Sequence, residues 1–331
     1  MHLSIIIPTY NRSELLGVTI KKLLKQFDIF KEFEFEIIVS DNASLKSPSY
    51  IINDINDKRI KYFENEVNLG MSKNILNSLN FAKGKYLWLF GDDDFIDDKA
   101  IDYVVSRLIN KNDFDFLQIS KVSFIDENEN NWSNTNDHLE VILLDLNKNM
   151  KEIDSFFGFI SNHVTLKEKF ITSVNKVSSR DTKILNNNYL FKLINYEVYK
   201  ISNIKLKISN QLVYQRITSG SSFYRTPELI FKTFFKDVNE IVEYQKKYNP
   251  EFLRARRFYF KSKIDILIIK LFHSLSFNRI LKIYRYTNYS NFYVLFILLM
   301  PKKILREMYF FYKKYKGTKL PNGFELYENN A

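Results

Sequence analysis

The 331-residue sequence has no cysteine. Disulfides, thiol nucleophiles and thiolate metal sites are therefore excluded. Its four histidines, His2, His138, His163 and His273, are scattered without zinc-like spacing. Glycine is scarce, at 8 residues, and no Gly-x-Gly-x-x-Gly occurs, which argues against a dehydrogenase. No apolar run reaches the ~20 residues needed to span a bilayer. Met1-His2 leads straight into a strand-like run and not into a signal peptide, so a cytoplasmic protein is expected.

What is present is enough to fold. A hydrophobic content of 45% makes wholesale disorder untenable. The length suits one large domain or two smaller ones. The charge is lopsided. Residues 251–316 hold 15 Lys/Arg against Glu251, Asp265 and Glu307, a net +12, while the whole chain carries +11. The remainder is close to neutral, so the basic character belongs to the C-terminal part.

Along the first 115 residues, strands alternate with helices. Leu3 to Ile7 reads as a β-branched strand stopped at Pro8, and Ser13 is placed to cap a helix from Glu14 to Phe27. Phe35 to Ser40 is a second strand, ending at Asp41. A short helix opens at Ser47 and Pro48. Ile60 to Phe63 is a third strand, and a third helix runs from Ser72 to about Ala82. Tyr86 to Phe90, apolar without alternation, reads as a strand buried on both faces. It ends abruptly in Gly91-Asp92-Asp93-Asp94, ahead of a helix from Asp98 to about Ile109. This alternation implies βαβ units and a parallel sheet, whose ligands bind beyond the carboxyl ends of the strands. Thr9 and Arg12, Asp41 and Asn42, Asn65 and Gly70, and Asp92 to Asp94 all follow strand ends, so four loops are expected to converge on one rim. A solvated acidic turn does not account for that convergence. Three adjacent carboxylates repel one another, and a hard cation such as Mg²⁺ or Mn²⁺ relieves the repulsion.

Beyond Asp115, Phe116–Ser120, Lys121–Ile125, Leu139–Leu144, Phe159–Leu166 and Leu206–Thr218 are strand-like. Asp126 to Asp137 is a polar loop. Met150–Phe157 and Leu185–Val198 are helix-like. From Pro227 onward the pattern is helical, with Lys/Arg interleaved among Phe, Tyr, Leu and Ile.

Ser4-Ile5-Ile6-Ile7-Pro8-Thr9-Tyr10-Asn11-Arg12, Ile37-Ile38-Val39-Ser40-Asp41-Asn42-Ala43-Ser44, Asn68-Leu69-Gly70 and Gly91-Asp92-Asp93-Asp94 together resemble family 2 glycosyltransferases with the GT-A fold. The nearer likeness is to bacterial surface-polysaccharide transferases, abequosyltransferase-like members included. The resemblance covers about the first third of the chain. It implies an α/β fold, a Rossmann-like αβα sandwich with a mostly parallel central sheet and a C-terminal helical extension. On that basis residues 1–225 form the GT-A domain, with 1–115 binding the nucleotide-sugar and 116–225 the acceptor. Residues 226–316 form a basic, aromatic-rich helical region suited to a membrane surface, and 317–331 a tail.

The resemblance further implies an inverting, metal-assisted transfer of one sugar from a nucleotide-diphosphate donor, a UDP-sugar, to a lipid-linked or oligosaccharide acceptor, with Mn²⁺ or Mg²⁺. Pro8, Thr9, Tyr10 and Arg12 would lie against the nucleotide. Asp41 would accept from the base N–H, with Asn42 beside it, and Gly70 and Lys73 would sit near base and ribose. Asp92 would approach the ribose or diphosphate, Asp94 with Asp92 would hold the metal, and Asp93 could do either. Many relatives carry an Asp where Gly91 stands. The Gln-x-x-Arg-Trp signature of processive synthases is absent, which points to single additions. Inversion needs a base opposite the leaving group. Asp181, His163 and Asp154 are the candidates, in that order. Net +12 with aromatics predicts contact with an anionic membrane at the inner face of the cell membrane. The alternatives are a nucleic-acid-binding protein using the same basic helices and a sugar-1-phosphate nucleotidyltransferase. The first leaves Asp92 to Asp94 unexplained, and the second normally has a Gly-rich phosphate loop that Pro8-Thr9-Tyr10 is not.

Overall fold

The structure, a computed structural model, describes residues 1–110, 114–124, 139–144, 157, 159–216, 237–249, 299–301, 303–305 and 307. The chain divides into two compact units, Met1–Thr218 and Ser219–Ala331. Asp154 and nearly all of the basic helical region lie outside the described residues.

The first unit is built on a nine-stranded sheet. β1 (Leu3–Thr9) lies between β2 (Phe35–Asp41) and β4 (Tyr86–Leu89), and β3 (Ile60–Glu64) pairs with β2, all in parallel. Every residue of β2 and β4 is buried, as the unalternating apolar runs require. Helices α1 (Ser13–Phe27), α2 (Ser49–Ile55) and α3 (Met71–Ser78) make the connections. In α1, Leu16, Ile20, Leu23, Leu24 and Phe27 form the stripe that packs into the core. Each such side chain, fully buried, stabilises by about 1.5–3 kcal/mol.

Beyond β4 the sheet changes direction. After β5 (Phe95–Ile96) and α4 (Asp98–Asn110), the chain forms β6 (Phe116–Phe124) and β7 (Val141–Leu143), then a 3₁₀ turn, Ile160–Asn162. β8 (His163–Leu166) then inserts antiparallel between β4 and β6. α5 (Lys167–Arg180), a 3₁₀ turn at Thr182–Asn186, α6 (Leu190–Ile201) and β9 (Lys205–Arg216) follow. β9 runs parallel to β6, and β5 and β7 pair with it antiparallel. The sheet is thus parallel around β1 and mixed where β8 and β9 enter. In the second unit, α7 (Val238–Tyr248) is described. Among the described residues no helix is long and apolar enough to cross a membrane.

Several sequence expectations shift. The two strands expected from Phe116 onward are one, bent by irregularities at Ile119–Ser120 and Ser120–Lys121. The strand expected from Phe159 begins as a 3₁₀ turn, and α5 occupies a stretch with no helical reading. Ser13 is the first residue of α1 and not its cap. Arg12 holds the cap position without a side-chain cap bond, because a guanidinium has no acceptor to offer the free N–H groups of the first turn.

Candidate functional site

The rim is formed by the ends of β1, β2, β3 and β4, and their loops interlock. Asn42 N–H donates to Thr9 C=O at 3.0 Å, and Asn65 N–H donates to Asp41 C=O at 2.9 Å. Asn11 N–H donates to Ser44 Oγ at 2.7 Å, and Leu45 N–H donates to Asn11 Oδ1 at 2.8 Å. Asn42 Nδ2 donates to Asn68 Oδ1 at 2.8 Å, while its Oδ1 accepts from Leu69 N–H at 2.9 Å. Asn68 Oδ1 also accepts from Gly70 N–H. Three residues at this rim have positive φ: Asn11 at 56°, Ala43 at 59° and Gly70 at 81°. For Ala43 that conformation is uphill by roughly 1–2 kcal/mol, the kind of strain that a functional loop retains.

The acidic trio is not an open cluster. Arg12 Nη1 donates to Asp92 Oδ1 at 2.9 Å and to Asp93 Oδ2 at 3.0 Å. Thr9 Oγ1 donates to Asp92 Oδ2 at 2.8 Å, and Thr19 Oγ1 donates to Asp92 C=O at 3.0 Å. Burial pushes the Asp92 carboxyl up to about 6, with Arg12 and Thr9 pulling the other way and Asp93 adding to the rise. Burial opposes the charge of Arg12, yet Asp92 and Asp93 outweigh it and hold the guanidinium above its usual range.

Asp94 is held differently. Ser161 Oγ donates to Asp94 Oδ2 and accepts from Gly91 N–H at 2.8 Å. A Cβ on Gly91 would stand 2.3 Å from Asp94 Oδ2, so the missing side chain makes room for that carboxylate. Burial pushes the Lys121 ammonium below its usual range, and the charge of Asp94 offsets part of that fall. That ammonium lies 4.6 Å from the centre of the Phe159 ring.

Asp41 is fully buried. Its carboxylate accepts from Ser44 Oγ at 2.5 Å, from Ser44 N–H at 3.3 Å and from Tyr62 Oη at 3.2 Å. Burial raises the Tyr62 phenol, and the carboxylates of Glu64 and Asp41 add to it, so Tyr62 stays a donor. Pro8 pairs with Ser40 across the sheet, Tyr10 is half-buried just beyond β1, and Lys73 is exposed in the first turn of α3. Pro8, Thr9, Tyr10, Arg12, Asp41, Asn42, Gly70, Lys73 and Asp92 to Asp94 thus all lie at the β1–β4 strand ends or on the helices that leave them.

The two described base candidates come from later segments, β8 and the turn after α5. Asp181 follows α5 and caps the Thr182–Asn186 turn, accepting from Lys183 N–H at 2.9 Å. That segment reaches α3, where Ser72 Oγ donates to Asn187 C=O at 2.7 Å. His163 is buried in an aromatic nest, stacked on Phe157 at 6.0 Å and tilted on Phe116 at 5.2 Å, with Asn195 Nδ2 3.4 Å from its Nδ1. That setting suits packing better than proton transfer.

The fit of a divalent cation follows from these contacts. Among the described residues no group of three or more His, Asp or Glu is arranged to hold a metal ion. Arg12 claims one oxygen each of Asp92 and Asp93, and Thr9 the other oxygen of Asp92. A Mg²⁺-like ion, which takes one or two carboxylates and completes its shell with substrate phosphates and water, needs fewer protein ligands than such a group of three.

Sequence reasoning passed over Ser44, Tyr62, Ser161 and Lys121. Ser44 closes the Ile37–Ser44 motif, and Ser161 opens a polar triplet, Ser161-Asn162-His163, inside an apolar run.

Comparison with known proteins adds to this geometry. The family model for glycosyl transferase family 2 matches residues 4–173. Abequosyltransferase RfbV of Salmonella typhimurium is 31% identical over 186 residues, 51% of this chain and 54% of that protein. The GalNAc(5)-diNAcBac-PP-undecaprenol beta-1,3-glucosyltransferase of Campylobacter jejuni is 39% identical over 95 residues, 28% of this chain and 29% of that protein. The chain therefore spans about half the length of the first of these relatives and under a third of the second. The crystal structure of S. aureus TarS 1-349 in complex with UDP-GlcNAc superposes with a TM-score of 0.53 at 15% identity, covering 97% of this chain and 93% of that one.

Proposed function

This chain belongs to glycosyl transferase family 2 and has the GT-A fold, and we propose that it moves one sugar from a UDP-sugar to a hydroxyl of a lipid-linked glycan in bacterial surface-polysaccharide synthesis, with inversion. The observation that carries this reading is the interlocking of four loops, distant in sequence, around the Thr9–Arg12–Asp92–Asp93 contacts and the Asp41 carboxylate. Of the relatives named above, one is by name an abequosyltransferase and one a glucosyltransferase of an undecaprenol-linked glycan, and the second supports the acceptor class.

In this reading Asp41, aimed by Ser44 and Tyr62, accepts from the base N–H. Asn42 stands beside it, with Gly70 and Lys73 on the ribose side. The Pro8-Thr9-Tyr10 turn lies against the nucleotide. Arg12 cancels charge on Asp92 and Asp93, so that a diphosphate can approach. Asp94 is the ligand for Mn²⁺ or Mg²⁺, oriented by Ser161. When bound there, the ion offsets charge on the departing diphosphate. Lys121 adds a positive charge on the same side. Asp181, on the segment that packs against the start of α3, is the proposed base for the acceptor hydroxyl. Residues 251–316 hold the protein against the anionic inner leaflet, where a lipid-linked acceptor lies.

A thermal-shift screen of nucleoside diphosphates, with and without Mn²⁺, tests the reading. One nucleotide should stabilise the protein, and more so with Mn²⁺, because a ligand that binds only the folded state raises its stability. No response to any nucleoside diphosphate would overturn it.

A further inference from the structure

Asn162 closes the Ile160–Asn162 turn and is 1% exposed. Among the described residues neither its Oδ1 nor its Nδ2 has a hydrogen-bond partner. A side-chain amide brings two N–H donors and an oxygen with two lone pairs. Burying all of them dry is unfavourable, and an apolar side chain of the same size would fill the space without that cost. An amide kept at such a place needs an explanation, and a ligand supplies one.

Its position says which ligand. Trp88 pairs with Val164 across the β4–β8 ladder, which brings the turn level with the end of β4 and Gly91. Ser161, immediately before Asn162, accepts from Gly91 N–H and donates to Asp94. Phe159, just ahead of the turn, sits against the Lys121 ammonium. This one segment therefore braces the proposed diphosphate end of the site and, next to it, carries an amide with no partner among the described residues. The group attached to the diphosphate is the sugar. Adjacent ring hydroxyls offer what an amide lacks: one donates to Oδ1 and its neighbour accepts from Nδ2.

We infer that Asn162 binds hydroxyls of the transferred sugar and so helps to set which sugar is accepted. The inference rests on the transferase reading. The test uses Asn162→Leu in the full chain, with UDP, GDP and CDP, and a hexose conjugate of each, as calorimetric probes. The melting temperature without ligand should stay the same or rise. Affinity for the nucleoside diphosphate that binds wild type should hold within about twofold. Relative to it, affinity for the sugar conjugate should fall about tenfold, equivalent to about 1.4 kcal/mol. Should Asn162→Leu fail to fold, Asn162→Ser carries the same comparison. If no probe binds the wild type, the transferase reading fails and this inference with it. If probes bind but the variant weakens nucleotide and conjugate equally, or neither, the inference alone is overturned.

Discussion

Arg12 stands between two carboxylates that repel each other. Its side chain is 21% exposed, and those of Asp92 and Asp93 are 7% and 13% exposed. Removing one member of so enclosed a group leaves uncompensated charge, so Arg12→Ala should destabilise by roughly 2–4 kcal/mol at pH 8. The loss should depend on pH. Burial already holds the Asp92 carboxyl at about 6, above the ~3.9 of an unfolded aspartate, and losing the guanidinium moves it higher. A raised carboxyl takes up a proton in the folded state, so the penalty is full above the folded pKa and shrinks as pH falls through it. Urea unfolding at pH 5 and pH 8 measures this. An equal loss at both would contradict it.

Asp181 carries two separable roles. As a cap it accepts from Lys183 N–H, and Asn caps about as well as Asp. As a base it needs the carboxylate. Asp181→Asn should therefore keep its melting temperature and lose about 10²–10⁴-fold in kcat. Full turnover by this variant would confine Asp181 to capping.

At the scale of elements, the β4 end and the Ile160–Asn162 turn act as one piece. Gly91→Ala places a methyl 2.3 Å from Asp94 Oδ2 and 3.4 Å from Ser161 Oγ. The Asp94 carboxylate must then swing off Ser161. Stability should fall by about 1–3 kcal/mol, and any Mn²⁺ dependence of nucleotide binding should weaken more than binding of the nucleotide alone. An Mn²⁺ response equal to that of wild type would separate Asp94 from the metal.

These elements also explain what could be read from the sequence. β1, β2 and β4 announce themselves because β-branched and aromatic runs stop abruptly at polar residues, and Asp41 falls on the last residue of β2. Local order alone fixes such ends. The Ser161–Asp94 bond spans 67 positions and exists only because β8 enters between β4 and β6, an insertion that no local pattern encodes. Lys121 meets the charge of Asp94 for the same reason. α5 gives no periodic signal because only Phe170, Ser173 and Val177 of its residues are buried, too thin a stripe.

At the scale of the whole molecule, charge separates along the chain. Residues 251–316 carry a net +12 and the rest is close to neutral. Basic residues near an anionic surface contribute about 1 kcal/mol each, and the attraction weakens as salt shortens the Debye length. The protein should therefore float with phosphatidylglycerol vesicles at about 0.05 M salt, and less of it should do so at about 1 M. Protein that stays behind under both conditions would contradict a membrane role.

The account depends most on one assembled site that grips one molecule. Titrating the stabilising nucleoside diphosphate, with Mn²⁺ present, into wild type, Asp41→Ala and Asp94→Ala tests this directly. Asp41 ends β2 and Asp94 follows β4, more than fifty residues apart in the chain. Each change should weaken binding at least about tenfold, a loss of about 1.4 kcal/mol. Wild-type affinity in either variant would mean that the loops do not share a ligand.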